Sequence, residues 1–379
     1  MDFFLNFAVM KMCKAIIYMC VPILTGFTAD SLQACTSAIV SGRLTASGKP
    51  ILWKNRDTST IDNKVEYIAP EAEGELAYVG LFNASDRKCR EAWVGLNEAG
   101  FAVMNTASYN LKADDVPASK MDREGFVMAH ALKHCRTVED FARLLEELPK
   151  PLGVEANFGV VDAEGRGAYF ECDNYRFVKY DLEDEPDGVL VRTNYSHSGR
   201  EGEGYGQIRE RNAEYLLSSY ICEGGIEPYV FTDVLSCSFY HDLYGKDMSY
   251  QGVRYVVDQD FIPRYTTTAT VVIEGGVMWT ALGYPPVAEV YPVLCGPDGV
   301  EPGLRGTEAN GTSRLCNEAK VRKQDVFSVR DGNKSRYVDM KKLRNDAGTG
   351  YMQVFRKQNR QAYDRFHKEL KRNGMHTDR

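Results

Sequence analysis

The chain is short of several features that mark familiar protein classes. It has no excess of positive charge: 46 Lys and Arg face 53 Asp and Glu, a formal net charge of −7. Nucleic-acid binders are ordinarily basic, so no nucleic-acid partner is expected. Past the first few dozen residues, no apolar run approaches the ~20 residues that cross a bilayer. Histidines number six, and none stands in an H-E-x-x-H pattern. His130 and His134, with Cys135 beside the second, lack that glutamate and a third ligand. They read as two polar positions on one helix face, and no metal is implied. No cysteines are spaced C-x-x-C, which removes zinc ribbons and thioredoxin-like redox centres. Gly202-Glu203-Gly204-Tyr205-Gly206 looks like a phosphate loop in spelling only. It follows no clear strand and carries acids that would repel phosphate, so no nucleotide or other cofactor is expected. With no fixed repeat, and with 26% charged and 44% hydrophobic residues, the chain is neither disordered, collagen-like nor a coiled-coil rod.

What is present begins at the N-terminus. Lys11 and Lys14 precede an apolar run over residues 15–27, and a short polar stretch leads to the small residue Ala34. That is the layout of a secretory signal, too short for a stable membrane span. Removal of residues 1–34 would make Cys35 the first residue of an exported chain, with the bacterial periplasm as the expected location. Two other readings share this junction. Leu32-Gln33-Ala34-Cys35 is similar to a lipobox, which would make Cys35 a lipid anchor of a membrane-attached binding protein. Alternatively, a peptidase cuts after Ala29 and the protein removes the last residues itself. Of the ten cysteines, Cys13 and Cys20 fall in the leader. If Cys35 is kept for chemistry, the remaining seven cannot all pair, and one or two disulfides at most are expected.

Along the rest of the chain, residues 36–44 and 50–54 read as a hairpin starting at Cys35, and residues 91–96 and 101–106 as a second one across Asn97-Glu98-Ala99-Gly100. Residues 122–136 and 137–148 read as helices, the second opened by a capping box at Thr137-Val138-Glu139-Asp140. Strands are expected at 157–162, 167–173 and 189–193, helices at 207–222 and 229–237, and a third hairpin at 267–273 and 277–282. Beyond Pro297 the chain turns Gly-, Asn- and charge-rich, with helices near 337–343 and 351–370. The basic final helix suits a solvated face or a contact in a homo-oligomer. Hairpins interleaved with paired helices indicate an α+β fold.

The chemistry converges on Cys35. As a first residue it would carry its thiol and its own α-amine. A thiol titrates near ~8.5 and an α-amine near ~7.7–8.0, so the amine can accept the thiol proton at neutral pH. Nucleophile and base in one residue need no histidine and no encounter between separate groups. Asn55-Arg56-Asp57 ends the second strand, which antiparallel pairing returns toward Cys35. Asp57 is then a partner for the amine and Arg56 a substrate contact. Asn105 and Asn194 stand at strand ends, where a neutral amide can serve an oxyanion, with Tyr195 beside the second as a further substrate contact.

Cys35-Thr36-Ser37 leading to Asn55-Arg56-Asp57 resembles the start of the N-terminal-nucleophile hydrolases of the choloylglycine hydrolase and penicillin acyltransferase (peptidase C45) group. Residues 93–100 leading to Asn105 resemble that group's second segment. Residues 157–171, with Asp162-Ala163-Glu164-Gly165, resemble its acyltransferase branch, as do residues 267–285 with Trp279 and Gly283. Arg192-Thr193-Asn194-Tyr195 matches the position of the oxyanion Asn, and Arg209 that of the later structural arginine, with Arg211 its rival. The resemblance runs from Cys35 to about Pro292.

It implies a four-layer αββα sandwich over residues 35–295, with 296–379 as an extension packed on the same domain. The implied activity is hydrolysis or transfer of an acyl group from a linear, non-peptide amide through a cysteinyl thioester, without cofactor. Implied substrates are N-acyl amino acids, conjugated bile acids or penicillin-type amides. The implied roles are Cys35 as nucleophile and base, Asp57 holding the amine, the Asn105 backbone N–H and Asn194 side chain as oxyanion hole, and Arg209 stabilising the site. Bile-salt hydrolases carry an arginine three positions before the aspartate, where this chain has Lys54, which weakens the bile-acid reading. A Cys-His pair using His197 or His241 is the remaining enzymatic alternative.

Overall fold

The computed structural model describes residues 34–111, 116–307, 309–332 and 335–372, so the expected leader, apart from Ala34, lies outside the described residues. In chain order the strands are β1 (Thr36–Val40), β2 (Ile51–Asp57), β3 (Asn63–Ile68), β4 (Tyr78–Asn83), β5 (Val94–Asn97) and β6 (Ala102–Ala107). Helices α1 (Glu124–His134) and α2 (Val138–Glu147) follow, then β7 (Ala156–Val161), β8 (Gly167–Cys172), β9 (Phe177–Asp181), β10 (Val189–Arg192) and α3 (Gln207–Glu223). The short pair β11 (Tyr240–His241) and β12 (Lys246–Asp247) and strand β13 (Tyr255–Val257) precede β14 (Thr267–Glu274), β15 (Val277–Leu282) and β16 (Tyr291–Leu294). Last come α4 (Arg314–Val326), β17 (Val329–Arg330), β18 (Arg336–Asp339), α5 (Met340–Leu343) and α6 (Tyr351–Arg372).

Two antiparallel sheets dominate. One runs β10-β1-β2-β14-β15-β16, and the other is a seven-stranded meander from β3 to β9. Period-two alternation decides their packing. In β2, Leu52 enters the core between the sheets with Ile39, Val271, Val79, Leu96 and Met104. Its neighbour Trp53 points to the opposite face, against Leu217 of α3, Phe231 and Tyr363 of α6. The meander does the same: Phe101, Val103, Phe158 and Phe170 face Leu132 of α1 and Phe141 and Leu145 of α2. Each sheet thus buries both faces, giving helix, sheet, sheet and helix layers, an αββα sandwich.

The capping box is present: the Asp140 N–H donates to the Thr137 hydroxyl at 3.1 Å, and the Thr137 N–H donates to the Asp140 carboxylate at 3.0 Å. The expected strand 36–44 stops at Val40 and turns through a 3₁₀ segment at Gly42–Leu44. A Cβ on Gly42 would fall 2.3 Å from the Gly48 carbonyl, so the turn requires glycine there. The expected helix 229–237 is a π-helical turn, Val230–Val234, followed by a 3₁₀ turn. The expected helix 337–343 is helical only over Met340–Leu343; its first three residues belong to β18, which pairs with β13. Strands β3, β4, β9 and β16 and helix α4 were not foreseen. All eight cysteines from Cys35 onward are free thiols.

Candidate active site

Cys35 enters β1, which pairs with β2 in the register Thr36 to Asn55 and Ser37 to Lys54. This hairpin carries the end of β2 back to the thiol. The Asp57 backbone N–H donates to Cys35 Sγ at 3.4 Å, and the thiol lies 3.7 Å from the Asp57 carbonyl. Cys35 is buried, with 7% of its surface exposed. Asp57 is fixed from β14, where a bulge between Thr267 and Ala269 interrupts the register with β2. Thr267 Oγ1 donates to Asp57 Oδ1 at 2.6 Å, and Arg264 donates to Oδ2 through Nε at 3.1 Å and Nη2 at 2.6 Å.

Two guanidinium groups close on the peptide bond that precedes Cys35. The Ala34 carbonyl accepts from Arg209 Nη1 at 3.1 Å and from Arg264 Nη2 at 2.8 Å. Arg209 Nη1 also donates to the Cys35 carbonyl at 2.6 Å and to Thr36 Oγ1 at 2.8 Å, and its Nη2 donates to Asn194 Oδ1 at 2.9 Å. Burial, with the Arg264 charge adding, brings Arg209 down to about 9, partly offset by Asp57 and Cys35. Burial also opposes the charge of Arg264, but Asp57, Asp258 and Asp260 outweigh it and hold that guanidinium above its ordinary value. One glycine of segment 202–206 makes room here. Gly206 opens α3 at φ +102°, and a Cβ on it would lie 2.4 Å from Arg209 Nη2.

Asn194 is fully buried, its Nδ2 donating to the Ala107 carbonyl at 2.8 Å. One N–H of that amide is therefore committed, and its oxygen is held by Arg209. Asn105 lies across β6, its Oδ1 accepting from Lys54 Nζ at 2.7 Å. Lys54 also donates to the Trp93 carbonyl at 2.7 Å. Burial brings the Lys54 ammonium down to about 8, although the field of Cys35 opposes the shift. Arg56 is engaged elsewhere: it donates to Asn63 and Asn83 and lies 5.0 Å from the Trp93 ring centroid. Tyr195 offers its carbonyl to Asn157 at 3.0 Å, and its ring packs on His197 at 5.5 Å. Arg211 pairs with Asp242 at 2.6 Å and is no rival for the place of Arg209. His197 bonds Glu210 at 2.8 Å, and among the described residues the thiol of Cys35 meets the Asp57 backbone rather than His197 or His241.

The structure thus brings Cys35, Asp57, Asn194 and Arg209 into one buried cluster and joins Asn105 to it through Lys54. Arg264 and Thr267 were missed by the sequence reading. Neither has a local signature, although the strand after Arg264 was recognised. The arrangement can hold a sulfur nucleophile beside a fixed carboxylate under an excess of buried cations, and it contains no preformed Cys-His contact among the described residues.

Residues 44–213 match the family described as acyl-coenzyme A:6-aminopenicillanic acid acyl-transferase. The matched stretch lies within the region, from Cys35 to about Pro292, that resembles the choloylglycine hydrolase and penicillin acyltransferase group. Solved structures similar to it include a Caenorhabditis elegans N-acylethanolamine-hydrolyzing acid amidase ortholog, 14% identical, covering 70% of this chain and 95% of its own, with a TM-score of 0.43. A mutant of the Clostridium perfringens conjugated bile acid hydrolase is 13% identical, covering 68% of this chain and 92% of its own, with a TM-score of 0.43. Penicillin V acylase from Agrobacterium tumefaciens is 15% identical, covering 68% and 85%, with a TM-score of 0.35. No curated protein matches the chain.

Proposed function

We propose that the protein is exported, loses residues 1–34, and acts as an N-terminal-cysteine amidohydrolase or acyltransferase on linear N-acyl amides. The observation that carries this reading is the position of Cys35: buried, with Asp57 N–H on its sulfur, and with Arg209 and Arg264 gripping the peptide bond whose removal would free its amine. The freed amine takes the thiol proton, and the thiolate adds to the acyl carbon. The Asn194 amide and the Asn105 backbone N–H receive the oxyanion. Collapse breaks the C–N bond as the ammonium protonates the leaving nitrogen, which departs as an amine. Water, deprotonated by the same amine, then cleaves the thioester to a carboxylic acid and restores the thiol. A second amine in place of water gives acyl transfer. N-acyl amino acids, conjugated bile acids and penicillin-type amides are the candidate substrates.

N-terminal mass analysis of the secreted protein, combined with a panel of these amides, tests the reading. We expect a chain beginning at Cys35, turnover of at least one amide, and loss of turnover in Cys35→Ala or after acetylation of the mature amine. A diacylglyceryl adduct on Cys35, or activity that survives acetylation, overturns it.

A further inference from the structure

Helix α4 lies outside the matched family region and carries a lysine on its buried stripe. Leu315, Cys316, Ala319, Lys323 and Val326 form that stripe, and Lys323 is only 6% exposed. An ammonium is buried at such cost only when something holds it. Lys323 Nζ donates to the Thr267 carbonyl at 3.1 Å and lies 4.6 Å from the Tyr265 ring centroid. Thr267 is also the residue whose hydroxyl holds Asp57, and the same hydroxyl accepts the Arg264 N–H at 2.9 Å. The Thr267 N–H returns to the Arg264 carbonyl at 2.8 Å. Residues 264–267 therefore form one tight turn that delivers both side chains gripping Asp57, and Lys323 holds it from behind.

A second observation points the same way. Asp258 uses Oδ2 to accept the Tyr265 N–H at 2.9 Å, while its Oδ1 and the hydroxyl of fully buried Tyr284 have no hydrogen-bond partner among the described residues. Asp258 acts on Arg264 and Lys323, and Asp57 acts on both. The Lys323 charge therefore offsets part of the Asp258 charge that Arg264 also feels, while the direct ion pair of Arg264 is with Asp57. Cys316 and Arg336 are the other charged or ionisable groups acting on Lys323.

We infer that Lys323 is a positioning residue of the active site, holding the turn that presents Arg264 and Thr267 to Asp57 and neutralising Asp258 so that it does not draw Arg264 away. This inference rests on the proposed function for its kinetic readout only.

The test compares Lys323→Met and Lys323→Arg with wild type for kcat, KM, the pH dependence of kcat/KM and thermal unfolding. It also follows the pH dependence of Cys35 alkylation by iodoacetamide in the processed chain. Lys323→Met should lower kcat at least about tenfold with KM within about threefold. It should move the acidic limb of both profiles upward by about half a pH unit or more, because loss of a nearby positive charge favours the protonated amine. Lys323→Arg should recover most of kcat and of the profile. Wild-type kcat and profiles in Lys323→Met overturn the inference. So does Lys323→Arg failing in the same way as Lys323→Met, or a Lys323→Met chain that no longer folds, since each marks a packing role. A processed wild type that turns over no amide ends the functional reading, while the alkylation profiles still decide the role of Lys323.

Discussion

The Asp57–Arg264 pair gives the sharpest physical test of the site, because it can be measured without any substrate. Asp57 is 1% exposed and accepts three hydrogen bonds from Thr267 and Arg264. Asp57→Asn keeps the shape and removes the charge, leaving Arg264, Arg209, Lys54 and Arg56 without this central carboxylate. Breaking one partner of a buried pair costs about 3–5 kcal/mol. That is less than the roughly 5–15 kcal/mol that ordinarily separates folded from unfolded protein, so the variant should remain folded. Its Tm should fall on the order of 10 °C. Arg264→Gln should cost somewhat less, about 2–4 kcal/mol, because the Arg264 side chain keeps 19% of its surface in solvent, which screens the pair. The double variant should be milder than the sum by about 2 kcal/mol, since it removes both charges. Equilibrium urea unfolding, followed by tryptophan fluorescence in a Cys35→Ala background, excludes processing and turnover from the measurement. Additive effects, or an Asp57→Asn penalty below about 0.5 kcal/mol, would show that this contact does not hold the site and would refute the reasoning.

Burial lifts the Glu124 carboxyl to about 7, with Asp122 and Glu155 adding. Because its folded value lies above the unfolded one of about 4.5, the stability it contributes is present in acid and fades as pH rises through 7. Glu124→Gln should therefore gain stability over wild type between pH 5 and pH 8, by about 2–3 kcal/mol at most, in urea titrations at the two pH values. Lys54→Met should slow turnover at least about tenfold by freeing the Asn105 side chain. Its Tm should fall, because the Trp93 carbonyl and Asn105 Oδ1 lose their buried donor. Tyr363 of α6 packs tilted against Trp279, ring centroids 4.1 Å apart, and shares a 2.9 Å hydrogen bond with Thr232. Tyr363→Ala should cost about 3–5 kcal/mol in unfolding experiments and Tyr363→Phe only about 1, separating packing from the hydroxyl.

The hairpins and paired helices could be read from the chain because each is closed by nearby residues: alternation over a few positions, a turn, a capping box. Helix α4 escaped because its buried stripe contains Lys323, which breaks the apolar pattern that marks an amphipathic helix. Residues 337–339 look helical because their partner, β13, lies some 80 residues earlier in the chain, and no local pattern reveals such a pairing. Arg56 is a different case. Its position beside Asp57 suggested a substrate contact, yet Asn63 and Asn83 engage its guanidinium.

Sequence alone determined that a cysteine stands at the head of a hairpin whose far end carries an aspartate, because strand register is a local matter. It could not determine which of many arginines would meet that aspartate. Arg264 and Arg209 come from distant segments, and they reach Cys35 only because the first sheet sets β14 beside β2 and β10 beside β1. The cost of burying their charges is met by partners that only the folded chain assembles.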